Sequence, residues 1–311
     1  MSSMVYPEEF NRLVTRAQSI KKPMRVAVAA ADAENILKGV FAAQEDGFVE
    51  PILVGNADKI KAVLERIGCL NKDYVIEEAC GGDNPVQYAI EMINAGKADT
   101  LMRGNQQTRD YLMPVLNKAN HLIKDDALVT HVVFLKIPGY EKILAVSDVT
   151  LLINPSEDTR VEVLKNMVNA MNDLGIEHPN IALLSMVEKP SFHMRDTVED
   201  QTIVKEHSKK PIADCNIVGP ISYDLIMSKD AARLKNFDCP YCGEFDGIVV
   251  PNLMSGNLLI KVLMQHADAK GFGFLVGAKI PIAIAGRSDD PEQTYLSLAA
   301  CAAQLASKKI L

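Results

Sequence analysis

Short apolar runs alternate along the chain with segments whose apolar residues recur at helical spacing. The runs 25–30, 51–55, 100–102, 181–186, 214–218, 247–251, 274–276 and 280–285 predict strands, with a weaker one at 74–77. Helical spacing predicts helices over 7–19, 33–44, 57–68, 85–95, 157–174, 225–234, 257–265 and 292–306. Asn56 is placed to cap the third of these, because its side chain accepts from the free N–H groups of the first turn. The runs 129–137 and 142–147 flank Pro138-Gly139 and read as a hairpin. Residues from 187 to about 208 read as a polar segment between two strands. Strand–helix alternation of this kind specifies an α/β fold with a mostly parallel sheet covered by helices on both faces. Ligands of such sheets sit at the C-terminal ends of strands or in a crevice between domains, so residues just after strands carry the most weight.

Length and composition narrow the classes. A chain of 311 residues is comfortable for two domains, which can share a sheet. Hydrophobic residues at 48% and charged residues at 23% are ordinary globular usage. The longest apolar region, 271–286, is broken by Lys279 and Pro281, so no membrane span is expected. The first ten residues lack a basic patch followed by an apolar run and do not read as a secretory signal. A net charge of −7 and a pI near 5.5 argue against general nucleic-acid binding, which needs a basic surface. They do not argue against an anionic small ligand held by a few local Arg, Lys and N–H groups. Cys69, Cys80, Cys215, Cys239, Cys242 and Cys301 are mostly scattered and read as reduced thiols of a cytoplasmic protein.

Four strand ends carry candidate chemistry. Ala285-Gly-Arg-Ser-Asp-Asp290 follows a strand and precedes the last helix. The planar fork of Arg287 suits a phosphate, and the next helix offers N–H groups to an anion. The same residues also suit a surface turn in which Arg287 pairs with Asp289 or Asp290. Pro251-Asn-Leu-Met-Ser-Gly-Asn257, with Lys261 one turn on, places Ser255 as a helix cap and Gly256 where a ligand can approach the backbone. Leu101-Met-Arg-Gly-Asn-Gln-Gln-Thr108 offers Arg103 to an anion, with Thr108 either as a second anion contact or as a plain helix cap. The hairpin offers Thr130-His131 and Ser147-Asp148, whose hydroxyls and imidazole suit a phosphate, although a lone His on a strand is more often structural.

Cys239-Pro-Tyr-Cys242 spells a dithiol motif in isolation. It falls late in the chain, in a loop before a strand, and reads first as loop sequence and second as a redox pair. Neither Cys215 nor His266 supplies convincing zinc spacing. No nucleophile elbow, phosphate-binding Gly-Lys loop or His-Glu-x-x-His helix is present. Gly271-Phe-Gly273 is no dinucleotide fingerprint, having neither the preceding strand nor the following helix.

Taken in order, several pieces resemble the phosphate acetyl/butyryltransferase family, from about Pro51 to the end of the chain. They are Gly96-Lys-Ala-Asp-Thr-Leu-Met-Arg-Gly104, Thr130-His-Val-Val-Phe134, Val146-Ser-Asp148 with Asn154-Pro155, Gly219-Pro-Ile-Ser-Tyr-Asp224, Pro251 to Asn257 with Lys261, and Gly286-Arg-Ser-Asp289. They resemble the butyryl branch more than the acetyl branch. The resemblance implies two three-layer α/β/α domains with an interdomain cleft, similar to isopropylmalate dehydrogenase, in a homodimer. It places the first domain at 1–152 plus 283–311 and the second at 153–282. It implies transfer of a short acyl group between coenzyme A and inorganic phosphate, without metal, permanently bound cofactor or acyl-enzyme. Coenzyme A enters as a co-substrate.

By motif, Arg287 would hold the phosphate, with Thr130 and His131 near it. Arg103, Gly104, Thr108, Ser147, Asp148, Asn252, Ser255, Gly256, Asn257, Lys261 and Ser288 are expected around the substrates. Two positions depart from the acetyl branch: Gly286 stands where a Ser precedes the Arg, and Gln293 where an Asp acts as proposed base. Asp289 is the substitute candidate for that base. Two rival readings remain: a metal-dependent decarboxylating NAD dehydrogenase, whose Asp cluster is missing, and a non-catalytic acyl-CoA or phosphate sensor.

Overall fold

The computed structural model describes residues 4–79, 84–286 and 289–307. After α1 (Asn11–Gln18), the chain alternates β1 (Met24–Ala29), α2 (Glu34–Glu45), β2 (Val49–Gly55), α3 (Ala57–Arg66), β3 (Val75–Glu78), α4 (Pro85–Asn94), β4 (Thr100–Arg103) and α5 (Thr108–Leu116). The hairpin follows as β5 (Thr130–Lys136) and β6 (Ile143–Ser147), then α6 (Glu157–Asp173), β7 (Asn180–Leu184), α7 (Arg195–Lys209), β8 (Asn216–Ile221), α8 (Tyr223–Met227) and α9 (Lys229–Lys235). The remaining elements are β9 (Gly247–Val249), α10 (Leu253–His266), β10 (Lys270–Val276), β11 (Ile282–Ala283) and α11 (Pro291–Ser307).

These elements form two compact units, Met1–Val129 with Phe272–Leu311, and Thr130–Gly271. The resemblance places the boundaries at 152/153 and 282/283 instead. The hairpin falls in the second unit because β6 lies parallel to β9. The β10–β11 pair falls in the first because β11 lies parallel to β4. In the first unit the strand order is β3-β2-β1-β4-β11-β10, parallel except for β10–β11. In the second it is β5-β6-β9-β7-β8, parallel except for the hairpin. The α/β reading therefore holds.

Local sequence accounts for several helix starts. Asn56 accepts from the Lys59 N–H at 2.9 Å, as its position predicts, and Asn84 caps α4 through the Val86 N–H at 3.0 Å, with Pro85 behind it. Val26, Val28, Leu53, Leu101 and Met102 are wholly buried in the first unit, where α1, α2 and α11 pack together and α4 packs on β1, β2 and β4. In the second unit Leu135, Leu144, Ile221, Leu225, Phe245 and Ile248 form the core.

Between β7 and β9 two helical stretches differ from expectation. The helix predicted over 225–234 is two, divided at Ser228, whose side chain caps α9 by accepting from the Ala231 N–H. The stretch read as polar contains α7, whose buried residues are Thr197, Asp200 and Ile203. Asp200 pairs with the buried guanidinium of Arg160 on α6. Burial pushes the Asp200 carboxyl up to about 7, against the pull of that cation. Among the described residues no helix is long and apolar enough to cross a membrane, and no cluster of three or more His, Cys, Asp and Glu could hold a metal.

Candidate functional site

In the second unit the hairpin brings the start of β5 beside the end of β6. Asp148, just past β6, is 4% exposed and collects four backbone N–H groups. One carboxylate oxygen accepts from His131 at 2.6 Å; the other accepts from Thr150 at 3.0 Å, Leu151 at 2.6 Å and Leu152 at 3.1 Å. An ionised carboxylate is suited to this because it only accepts, with lone pairs for several donors. The His131 imidazole lies 2.7 Å from the Thr150 hydroxyl through Nδ1. The Ser147 hydroxyl donates to the His131 carbonyl at 3.1 Å, and Thr130 accepts from Asn166 on α6 at 3.2 Å.

The start of α10 completes this cluster. Asn252, not Ser255, is the cap: its side-chain oxygen accepts from the Ser255 N–H and hydroxyl, both at 3.0 Å. The helix therefore begins four residues before the expected 257. Gly256 rests on the loop, where an added Cβ would lie 2.9 Å from the Asp148 carbonyl and 2.8 Å from Val250. Asn257 donates to the Val149 carbonyl at 3.3 Å. Thr130, His131, Ser147, Asp148, Asn252, Ser255, Gly256 and Asn257 thus share one end of the second unit's sheet. Lys261 is exposed further along α10.

In the first unit the ends of β1, β4 and β11 converge. Arg103 is 5% exposed, and its guanidinium donates to the Gln106 carbonyl at 2.6 and 3.1 Å and to the Ala285 carbonyl at 3.3 Å. It ties the end of β4 to the segment after β11. Gly104 crosses the end of β1 so closely that a Cβ would lie 2.1 Å from the Ala30 carbonyl oxygen. Gly104→Ala should therefore displace backbone and cost about 3 kcal/mol, read from the urea midpoint; a variant as stable as the parent would show that the two strand ends separate freely.

Asp289 turns back on Gly286, accepting its N–H at 2.5 Å and returning its own N–H to the Gly286 carbonyl at 3.1 Å. Burial raises the Asp289 carboxyl above the usual range; the Gly286 N–H opposes this, Asp290 adds to it, and Arg103 lowers it. Arg287 and Ser288 lie outside the described residues. Thr108 does not cap α5: it is the first helical residue, is exposed, and follows Gln107 at the cap position, which makes no side-chain cap bond. Thr150, Asn166 and Gln106 enter these clusters without having been singled out in the sequence. Asn166 is a polar residue inside an amphipathic helix, and Gln106 acts through its carbonyl, so side-chain chemistry does not mark either.

The family model described as Phosphate acetyl/butaryl transferase matches residues 71–303. The chain belongs to that family. A phosphate butyryltransferase of Clostridium acetobutylicum is 30% identical over 97% of this chain and 99% of its own. A phosphate acetyltransferase of Thermotoga maritima is 28% identical over 89% of this chain and 94% of its own. The crystal structure of a branched-chain phosphotransacylase from Enterococcus faecalis V583 superposes with a TM-score of 0.77 at 26% identity, covering 91% of this chain and 99% of that one.

The matched span holds every candidate residue from Arg103 to Asp289. It also holds Gly286 and Gln293. A Cβ at position 286 would lie 2.4 Å from an Asp289 carboxylate oxygen, so a larger residue there would make the Asp289 side chain shift from its contact with the 286 N–H. Gln293 is 8% exposed and its side-chain oxygen accepts from the Asp290 N–H at 2.9 Å. It serves the start of α11 as the returning half of a capping box.

Proposed function

We propose that this chain moves a short acyl group between coenzyme A and inorganic phosphate, with butyryl as the preferred group. The observation that carries the reading is the end-to-end match to a phosphate butyryltransferase, 97% of this chain against 99% of the other. In one direction a phosphate oxygen attacks the thioester carbonyl, the C–S bond breaks and coenzyme A leaves as a thiolate. In the other the thiolate attacks the acyl phosphate and phosphate leaves. Coenzyme A is a co-substrate here, and the chain works as a cytoplasmic homodimer.

Phosphate arrives as an anion and needs charge neutralisation and orientation, a role we give to Arg287. In the second unit the Thr130 hydroxyl and the His131 ring are separate candidates for substrate contact. The hydrogen-bonded loop after β6 would keep the latter two in place. Coenzyme A arrives as a thiol of pKa about 8.5, so its attack gains from a proton acceptor. Asp289 is our candidate, since a carboxyl raised by burial is a stronger base than an ordinary one. Arg103, engaged with two carbonyls, would shape the loop from behind.

The test is coenzyme A release from butyryl-CoA and acetyl-CoA, with and without phosphate or arsenate, with NAD reduction followed in parallel. Release that requires the oxyanion and favours butyryl-CoA is expected. Absence of release from both would leave a sensor, and NAD reduction would move the chain to the dehydrogenase class. Preference for acetyl-CoA would retain the reaction and correct the acyl group. Sedimentation at about twice the 34.0 kDa chain mass is expected for the homodimer.

The base assignment has its own pH signature. Asp289 must be ionised to accept a proton, and its pKa is raised, so activity in the thiol-attack direction is lost as pH falls through that raised value. The acid limb should therefore lie above the ordinary carboxylate range, and Asp289→Asn should remove it and lower kcat/KM in both directions, because the group that takes the thiol proton in one direction returns it in the other. An unchanged acid limb in the variant would pass the role to another group.

A further inference from the structure

The turn before β9 holds two thiols that acyl transfer does not use. Cys242 is 2% exposed and belongs to the core of the second unit, while Cys239 is half-buried and packs against that core from outside. Both are free, and they lie close enough to hydrogen-bond to one another. The turn between them is held on both sides. The Gly243 N–H donates to the Ile226 carbonyl at 3.0 Å, the Glu244 N–H donates to the Tyr241 carbonyl at 2.9 Å, and Lys229 pairs with Glu244. The Tyr241 ring stands edge-on to Phe245 with centroids 6.4 Å apart. Pro240 further narrows the conformations open to the linker. A metal reading has no support among the described residues, where no third ligand joins the pair.

We propose that Cys239 and Cys242 form a reversible dithiol–disulfide site that exchanges with low-molecular-weight disulfides. The Cys239 thiolate attacks one sulfur of a small disulfide RSSR, forming a mixed disulfide and expelling one RS⁻, which takes up the proton that Cys239 gave up. The Cys242 thiolate then attacks the Cys239 sulfur, closes the protein disulfide and expels the second thiol. The sum is protein dithiol plus RSSR giving protein disulfide plus two RSH, with two electrons passing from the protein to the small disulfide.

The order of attack follows from burial. The outer sulfur is the one a small molecule reaches, and the inner one is held beside it. The Cys242 thiol is pushed up to about 12, first by burial and then by the charge and hydrogen bond of Cys239. Forming the mixed disulfide removes both Cys239 contributions and leaves burial as the main cause of the raised value. The second step is intramolecular across two intervening residues, so it outruns attack by a second external thiol at ordinary concentrations.

The experiment uses the full chain incubated with glutathione disulfide at about pH 8, where thiol–disulfide exchange is fast. Samples are acid-quenched, denatured, alkylated with iodoacetamide and peptide-mapped by mass spectrometry. The expected peptide spanning 239–242 carries neither alkyl group nor glutathione, is lighter by the two thiol hydrogens, and returns to the dialkylated form after dithiothreitol. Cys242→Ser should stop at glutathione on Cys239, and Cys239→Ser should leave Cys242 reduced. Cys242→Ala repeats the first arm without adding a buried hydroxyl. Persistence of the glutathione adduct in the parent chain, no adduct in either Cys242 variant, or full alkylation of both sites in the parent would overturn the proposal.

Discussion

Asp148→Ala is expected to destabilise the chain by about 3–5 kcal/mol and to abolish detectable transfer. The estimate rests on four N–H groups that lose one charged acceptor together. A hydrogen bond to a charged group contributes about 1.5–3 kcal/mol, but the four are not additive. The N–H groups of Thr150, Leu151 and Leu152 come from a half-buried turn that water can reach in part. The His131 N–H lies in a buried strand and would bear the full cost of desolvation without a partner. The side chain of His131 would suffer too, because Thr150, its partner at 2.7 Å, belongs to the turn that comes loose. Asp148→Asn should fall between parent and alanine, since one oxygen remains but the amide group has donors where the N–H groups need an acceptor. Urea denaturation followed by circular dichroism gives the stability, and butyryl-CoA turnover the activity. A loss under about 1 kcal/mol would mean that the turn holds itself together without the carboxylate.

Arg287→Ala should leave the urea midpoint unchanged and lower turnover by about 10²–10³-fold, the scale expected when one donor is removed from a developing oxyanion. The residues on either side are already joined to each other: Gly286 and Asp289 exchange two hydrogen bonds, and Arg103 holds the Ala285 carbonyl. The fold thus does not depend on the 287 side chain for these contacts. Arg287→Lys should be intermediate, because lysine keeps the charge and loses the planar fork that meets two phosphate oxygens at once. The loss should appear in both directions of the reaction, since phosphate is nucleophile in one and leaving group in the other. Near-parental kinetics in the alanine variant would remove Arg287 from the mechanism and favour the turn in which it serves only the local acids.

The hydrophobic pattern was enough to identify most of the alternating strands and helices, because the buried strands are apolar on both sides and most helices show an apolar face. It failed at α7 for a physical reason. That helix buries Thr197, Asp200 and Ile203, and Asp200 meets the buried Arg160, so ionic contact replaces much of the apolar stripe that periodicity detects. Helix starts were misplaced where two good caps compete. Ser255 has the right chemistry, yet Asn252, three residues earlier, takes the cap and turns Ser255 into its donor. The weight given to strand ends selected Arg103, Gly104 and the 252–257 segment, while Thr130, His131, Ser147 and Asp148 were chosen on the hairpin for hydroxyls and an imidazole that suit a phosphate. It also selected Thr108, which is exposed and caps nothing.

Most of the order of elements, the family and the list of polar residues at strand ends follow from the sequence alone, because each depends on residue type and on spacing within a few positions. Partnership between distant positions does not. That Asp148 gathers the His131 N–H, that Arg103 holds Ala285, and that Gly104 lies against Ala30 are decided by chain segments 17, 182 and 74 residues apart. Such pairings depend on which strands lie side by side, and strand adjacency arises only when the whole sheet buries its apolar faces.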